Sequence, residues 1–284
     1  MSAIAPLARP AQRLAAVSAL AGPPTLALFA TEHAASTATR GKLPLDATVV
    51  TVAAWPLAQA VAPAVDCVVL VRSPGGADDL TSLVRDLAFV AATPIVIAAE
   101  VGATELAAIL SAGASAVVGA GTSGRVLWGA VQCSVSTALL HRASGRFAEA
   151  PLPAALRDAL VALCLSDPPR ASIAELCEAV GVHRRTLWYQ WRRRVRAASP
   201  RLEDAVTAVL LLRAFMARAA GAGWASIALR DGVHRHTLVR SARRLLALAA
   251  LPPGDGRESD AGHAAARRAF IENVVRPVLR RQIP

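Results

Sequence analysis

Gly181-Val182-His183-Arg184-Arg185-Thr186-Leu187 returns 51 positions later as Gly232-Val233-His234-Arg235-His236-Thr237-Leu238, with six of the seven residues unchanged. Each copy follows a short apolar stretch of helical character and leads into an arginine-rich one, Trp188–Arg196 and Val239–Arg244. Glycine tolerates the left-handed backbone that ends one helix and lets another begin. Each copy therefore reads as helix, tight turn, helix. A single glycine before a helix is common; two near-identical copies, both basic downstream, are much more specific.

Outward from the first copy, Ser172 precedes Ile173-Ala174-Glu175-Leu176-Cys177-Glu178-Ala179-Val180. Ser172 with Glu175 three positions on is a capping box, so the supporting helix starts there. Cys177 is small and lies four residues before Gly181, which lets the two helices approach closely. Leu187 and Trp191, one turn apart, pin the second helix to a core. In the second copy Trp224 and Ile227 match Ile173 and Leu176, Ala228 matches Cys177, and Leu238 matches Leu187. Between the copies, Arg201–Ala220 carries Val206, Val209, Leu210, Arg213 and Met216 at helical spacing and reads as one long connecting helix. Leu152–Leu165 reads as a first helix, and Pro151, Pro153 and Pro168-Pro169 punctuate the entry to this half.

Charge divides the chain at the same place. Residues 1–150 hold 9 basic and 9 acidic side chains; residues 151–284 hold 22 and 11, an excess equal to the whole formal charge of +11. Every basic residue but Lys42 is arginine. A GC-rich genome favours Arg generally, but codon bias does not confine an excess to one half. A basic half beside a neutral one points to a polyanion partner, and the duplicated helix-turn-helix makes that partner double-stranded DNA.

On the second helix of each copy, the side away from the apolar residues carries Arg184, Arg185, Tyr189 and Arg192, then Arg235, His236, Arg240 and Arg243. With Thr237 these are the expected DNA contacts, since arginine there can bridge guanine O6 and N7 or clamp a phosphate. The bland alternative, a solvated basic face, would have to arise twice. Trp188 reads either as a DNA contact or as core packing. His183 and His234 stand where a Ser or Thr cap is usual and read as phosphate-facing caps, because no third metal ligand is nearby. Side by side, the two second helices would enter successive major grooves about 34 Å apart. Two such units joined by one long helix resemble the AraC-type DNA-binding domain over about residues 152–250. The second unit departs from that family, which usually has a longer turn and an aromatic where this chain has a short turn and Leu238. Each unit singly resembles a Fis-type helix-turn-helix equally well.

In the neutral half, Thr25–Ala30, Thr48–Ala53, Cys67–Val71, Pro94–Ala98 and Ala116–Val118 read as strands. They are short, β-branched and apolar on both faces, as in a buried parallel sheet. Trp55–Val65, Asp78–Ala91, Thr104–Ala112 and Gly124–Arg142 read as helices, with a weaker helical pattern around residues 33–40. Five β-α units imply a doubly wound α/β sheet of the flavodoxin-like (CheY-like) kind, followed by an all-α helix-turn-helix domain. Asp66-Cys67-Val68-Val69-Leu70-Val71-Arg72-Ser73-Pro74-Gly75 resembles the third strand and following loop of response-regulator receiver domains. Pro94-Ile95-Val96-Ile97-Ala98-Ala99 resembles the fourth strand, and Ala112-Gly113-Ala114-Ser115-Ala116-Val117-Val118 the approach to the fifth. The resemblance covers about residues 25–143. It implies an acidic pair after strand one for Mg²⁺, a phosphate-accepting Asp ending strand three, a Ser or Thr after strand four and a Lys after strand five. This chain has Ala30 and Thr31 (with Glu32 next), Val71, Ala98 and about Ala120 at those positions. Val71 offers no nucleophile, and without clustered carboxylates Mg²⁺ lacks its oxygen cage. Asp66 lies at the opposite end of its strand and reads as structural, while Gly75-Gly76 lacks the spacing of a phosphate-binding loop. This half reads as a pseudo-receiver for protein interaction or dimerisation.

The remaining features set limits. A length of 284 residues suits about two domains. The expected division is an extension over 1–24, a receiver-like domain over 25–147, a double helix-turn-helix domain over 152–250, and a linker with a C-terminal helix over 251–284. Pro252–Gly262 reads as the linker. His263–Arg281 reads as an amphipathic helix, interrupted by Pro277, whose Phe270, Ile271, Val274, Val275 and Leu279 pack back on the domain or make a dimer contact. Cys67, Cys133, Cys164 and Cys177 lack metal-site or redox spacing, so reduced thiols in a cytoplasmic protein are expected. Ala47–Val65 and Leu106–Gly124, each 19 residues without charge, are broken by Pro or by Gly and Ser and do not read as membrane spans. Arg9 and Arg13 before an apolar stretch slightly resemble a secretory signal, which Gly22-Pro23-Pro24 interrupts. The α/β half has no Ser-His-Asp set, paired carboxylates, P-loop or dinucleotide fingerprint, and only His33 and His141 could act as imidazole bases there. Neither an enzyme nor a cofactor is expected. Two functions follow. One is a sequence-specific transcription regulator, cytoplasmic and nucleoid-associated, with a homodimer or protein partner through its first domain. The other is an architectural DNA-binding protein with little sequence preference.

Overall fold

Short β-branched runs form the centre of the first half. The computed structural model describes residues 24–30, 32–44, 47–73, 79–195, 200–248, 250–251 and 257–279. In it β1 (Thr25–Ala30), β2 (Thr48–Val52), β3 (Cys67–Val71), β4 (Ile95–Ala98) and β5 (Ala116–Val118) make one all-parallel sheet in the order β2-β1-β3-β4-β5. Helices α1 (His33–Lys42), α2 (Trp55–Val61), α3 (Leu80–Val90) and α4 (Ala103–Ser111) alternate with the strands, and α5 (Gly124–Glu149) follows the last. The weak helical pattern near residues 33–40 is thus a helix. One sheet face, Ala27, Phe29, Val68, Leu70, Ile95 and Ile97, is buried with Ala58, Leu80, Val84, Leu87 and Ile109 of α2, α3 and α4. The alternate residues Leu26, Leu28, Cys67, Val69 and Val96 are equally buried, and α1 packs on β1 and β3. Burial on both faces is what the alternation of strand and crossover helix requires.

Several expectations are corrected here. The two edge strands are not buried on both faces: β2 is mostly exposed and β5 half-buried, because each has a neighbour on one side alone. Helix α2 stops at Val61 and continues as a 3₁₀ turn over Ala62–Ala64, where Pro63 has no N–H to extend an α-helix. Helix α5 runs to Glu149, seven residues past the expected Arg142. Asp66 is structural: Thr25 N–H donates to its Oδ2 at 2.8 Å and its own N–H donates to the Thr25 carbonyl at 2.8 Å, tying the starts of β1 and β3. The expected N-terminal extension, Thr31 and the Gly75-Gly76 loop lie outside the described residues.

Compactness divides the chain into two units, one spanning Pro23–Ala138 with Met216–Gly223, the other Leu139–Phe215 with the chain from Trp224 on. The second is helical. Helix α6 (Ala154–Leu165) buries Leu156, Ala159, Leu160, Leu163 and Cys164, the i, i+3, i+4 stripe of a surface helix. The helix-turn-helix pairs are α7 (Ile173–Val180) with α8 (Arg184–Val195), and α10 (Trp224–Arg230) with α11 (Arg235–Leu246). Between them α9 (Leu202–Ala219) is buried almost all round, through Ala205, Val206, Ala208, Val209, Leu210, Leu211, Leu212, Ala214 and Phe215. A helix apolar on every side belongs in the middle, and α9 is the axis of this unit.

The tail helix begins earlier than expected: α12 runs Arg257–Phe270, so Arg257–Gly262 is helical, while Pro252–Gly256 lies outside the described residues. Gly262 is required there, because a Cβ would sit 2.4 Å from Phe215 Cε1. A widened π-turn, Ile271–Val275, joins α12 to α13 (Arg276–Leu279). Pro277, with no N–H and a ring that crowds the carbonyl four residues back, accounts for the widening. Phe270, Ile271, Val274, Val275 and Leu279 are all buried, with α12 on α11 and α13 on α8, so the tail packs back on its own unit. Arg194 Nε closes that contact by donating to the Val278 carbonyl at 2.7 Å.

Candidate nucleic-acid interface

The two turns have the same hydrogen bonding. In the first, Gly181 has φ +64, its N–H donates to the Glu178 carbonyl at 3.2 Å, and Val182 N–H donates to the Cys177 carbonyl at 3.0 Å. In the second, Gly232 also has φ +64, its N–H reaches the Leu229 carbonyl at 3.2 Å, and Val233 N–H reaches the Ala228 carbonyl at 2.9 Å. Both helices end in the paired bonds of a Schellman-type exit. No atom lies within 4 Å of a Cβ built on either glycine, so the positive φ alone selects the residue. Upstream the serine cap forms, with Ser172 Oγ accepting from Glu175 N–H at 3.2 Å, while Glu175 Oε2 reaches one residue beyond the expected capping box and accepts from Ala171 N–H at 3.0 Å.

The helices that follow divide cleanly into inner and outer sides. On α8, Leu187 and Trp191 are buried and Gln190 and Arg194 half-buried, and Trp191 Nε1 donates to the Pro200 carbonyl at 3.1 Å. On α11, Leu238, Ala242 and Leu246 are buried. The opposite sides carry the expected contacts, every one exposed: His183, Arg184, Arg185, Trp188, Tyr189 and Arg192 on the first unit, then His234, Arg235, His236, Thr237, Arg240 and Arg243 on the second. Trp188 is therefore not core. Its ring lies 4.8 Å from the Arg192 guanidinium carbon, and Tyr189 lies 5.5 Å from that of Arg193.

The two histidines differ. His183 Nδ1 accepts from Arg185 N–H at 3.2 Å, which is capping by a ring nitrogen in place of a hydroxyl. His234 occupies the N-cap of α11 but makes no side-chain cap bond, which corrects the expectation of two equivalent caps.

The first turn of α9 holds both outer helices, through residues the sequence reading did not single out. Glu203 Oε1 lies 3.7 Å from Arg184 Nη2, and Arg244 at the end of α11 bonds to Asp204 and, at 3.5 Å, to Thr207 Oγ1. Asp204 also accepts from Arg201 N–H at 2.9 Å. These are contacts 19 to 40 residues apart, invisible to local patterning. The Trp188–Arg192 and Tyr189–Arg193 pairs have i, i+4 spacing, a signal the sequence did offer.

The carboxyl edge of the sheet is built otherwise. Register places Ala30 beside Val71, Val71 beside Ala98, and Ala98 beside Val118. None of these residues carries a polar side chain. Just beyond β3, Arg72 bonds to Glu105 through both oxygens at 2.5 and 3.1 Å and to the Glu100 carbonyl at 2.8 Å. The Arg72 guanidinium holds the Glu105 carboxyl below the usual range. Lys42 Nζ donates to the Ala120 carbonyl at 2.9 Å, at the position where the receiver resemblance called for a lysine.

Burial pushes the Cys133 thiol up to about 11 and Cys164 to about 12, so both stay protonated at neutral pH. Among the described residues no group of three His, Cys, Asp or Glu is placed to hold a metal ion, and no helix is long and apolar enough to cross a membrane. No family model and no curated protein matches the chain.

Proposed function

We propose that this protein is a sequence-specific DNA-binding regulator of transcription in which a receiver-like α/β domain, incompetent for phosphorylation, serves protein interaction or dimerisation. The observation that carries this reading is the same Gly-ended helix exit built twice, each leading into a helix whose outer side is exposed and basic. A helix held to its core by Leu187 and Trp191, or by Leu238 and Ala242, offers its outer side rigidly to a groove. The order of two such units about the buried axis α9 supports the AraC-type resemblance. The strand order β2-β1-β3-β4-β5 supports the flavodoxin-like reading of the first domain. Its row of Ala30, Val71 and Ala98 supports the pseudo-receiver reading, since none of the three can accept or stabilise a phosphoryl group. No enzymatic step is assigned to either unit.

The test is a footprint of the full chain on sites selected from random duplexes, repeated with Arg185→Ala and Arg240→Ala. Each variant should weaken protection at its own half-site, the two lying about one helical turn apart. A footprint shorter than one turn, or an Arg240→Ala protein with unchanged preference, overturns paired reading. A uniform loss across all sequences identifies an architectural protein instead. Treatment with acetyl phosphate should leave the mass unchanged. A stoichiometric phosphoryl adduct within residues 25–143 overturns the pseudo-receiver reading.

A further inference from the structure

The two turns match in geometry, but the faces they present differ at one decisive place. Outward of the buried pair Leu187 and Trp191, the outer line of α8 is Arg185, Tyr189 and Arg192, at i, i+4 and i+7. The same line on α11, outward of Leu238 and Ala242, is His236, Arg240 and Arg243. The middle of each line stands furthest from the core and would lie deepest in a groove. It is an aromatic ring in the first unit and a guanidinium in the second. Tyr189 is 55% exposed even with the Arg193 guanidinium over its ring, an unfavourable placement for an aromatic side chain. Arg193 lies over the Tyr189 ring and Arg192 over Trp188, so the rings are flanked by cations and already held in place. The second unit has no such ring, since Val239 replaces Trp188 and is half-buried.

We infer, resting on the DNA-binding reading above, that the two units read different base chemistry. Tyr189 of the first selects a thymine through its C5-methyl group, and Arg240 of the second selects a guanine through O6 and N7. In the major groove the thymine methyl is the apolar group an aromatic edge can cover, and the guanine pair of acceptors is what a guanidinium fork fits. Arg192 lies within a turn of Tyr189, close enough to hold a flanking phosphate. The bound site is therefore asymmetric, with a thymine-centred half and a guanine-centred half about ten base pairs apart.

The experiment uses the full chain and duplexes enriched from a randomised library, then changes single atoms in the DNA. Replacing the thymine by deoxyuridine removes one methyl and should weaken binding about fourfold. Tyr189→Ala should bind the thymine and deoxyuridine duplexes alike, while Tyr189→Phe, which keeps the ring, should still distinguish them. Replacing the guanine of the other half-site by 7-deazaguanine removes one acceptor of two and should cost about fivefold, an effect absent in Arg240→Ala. Both residues are exposed, so neither variant loses core packing. Enriched sites with the same base at both centres overturn the inference, as does a wild-type protein indifferent to the thymine methyl; either leaves the DNA-binding reading intact. A chain that retains no duplex at all overturns that reading too, and is told apart by the absence of any enrichment.

Discussion

Each unit of this protein has a place that its architecture favours for function, and the chain treats the two in opposite ways. In an open parallel sheet that place is the carboxyl edge, where strand order reverses. Here it is lined by Ala30, Val71, Ala98 and Val118, and Arg72 just beyond β3 is committed to Glu105 and the Glu100 carbonyl. In the helical unit it is the outer sides of α8 and α11. Those carry Arg184, Arg185, Arg192, Arg235, Arg240 and Arg243, all exposed. The contrast teaches that fold supplies a position and side chains decide whether it has a chemistry. The even charge of residues 1–150 and the excess of +11 in residues 151–284 restate the contrast in composition.

The largest effect that can break this comparison is electrostatic. If the exposed arginines meet phosphates, affinity for duplex DNA falls steeply with salt, about 0.9 in log K per log salt for each phosphate neutralised. With six or more contacts, raising salt from about 50 to 200 mM should weaken binding by about 10³. Titration of labelled duplex with the full chain at several salt concentrations measures the slope. Substitutions at Arg72 or Arg85 in the α/β unit should leave it unchanged, whereas Arg192→Ala should lower its magnitude by about one. A flat salt response, or a slope that moves with the α/β substitutions, removes the distinction between the two regions.

Much of this was legible in the sequence because it is local. The strands showed as β-branched runs, the helix exits as glycines 51 residues apart, the cap as Ser172 with Glu175. What was not legible depends on residues distant in the chain. Nothing near Asp204 signals that it receives Arg244, nothing near Gly262 that Phe215 lies against it, and nothing near Arg72 that Glu105 will neutralise it. The exposure of β2 and β5 follows from their edge positions, which strand order sets and periodicity does not. Pro277 misled in a different manner: it widened the tail into a π-turn while the apolar stripe stayed buried. The outer sides of α8 and α11 are legible as exposed faces from helical spacing, whereas the stacking of Arg192 and Arg193 on the rings is a contact that i, i+4 spacing permits but does not specify.

A medium effect sharpens the equivalence of the two turns. Gly181→Ala and Gly232→Ala each force a side chain into φ +64 with open space around it, so the cost is backbone strain alone, about 1–2 kcal/mol. Chemical denaturation should give nearly equal losses for the two. Gly41→Ala in α1 is the contrast within the α/β unit. That glycine is exposed, helical, without a positive φ and clear of neighbours, so alanine should stabilise by about 0.5–1 kcal/mol. Unequal losses at 181 and 232 would mean that the shared hydrogen bonds hide different demands on the two backbones.

The smallest effect belongs to the Arg72–Glu105 pair and asks whether the carboxyl edge of the sheet is closed by charge. Hydrogen bonding to Arg72 depresses the Glu105 carboxyl in the folded protein, so the folded state holds its proton less tightly than the unfolded chain does. The stabilisation is therefore fully present above the ordinary glutamate range, near pH 4.3, and is lost as pH falls through the lower folded value. Glu105 is about a third exposed, and such pairs contribute about 0.2–1 kcal/mol. Glu105→Gln should lower stability by that amount at pH 7, and the gap to the parent should close as the pH drops below about 4. DNA affinity and its salt slope should be the same in both proteins, because the pair lies in the neutral unit. A gap that persists unchanged into acid would show that the charge of the Glu105 carboxylate is not what holds Arg72 across the end of β3.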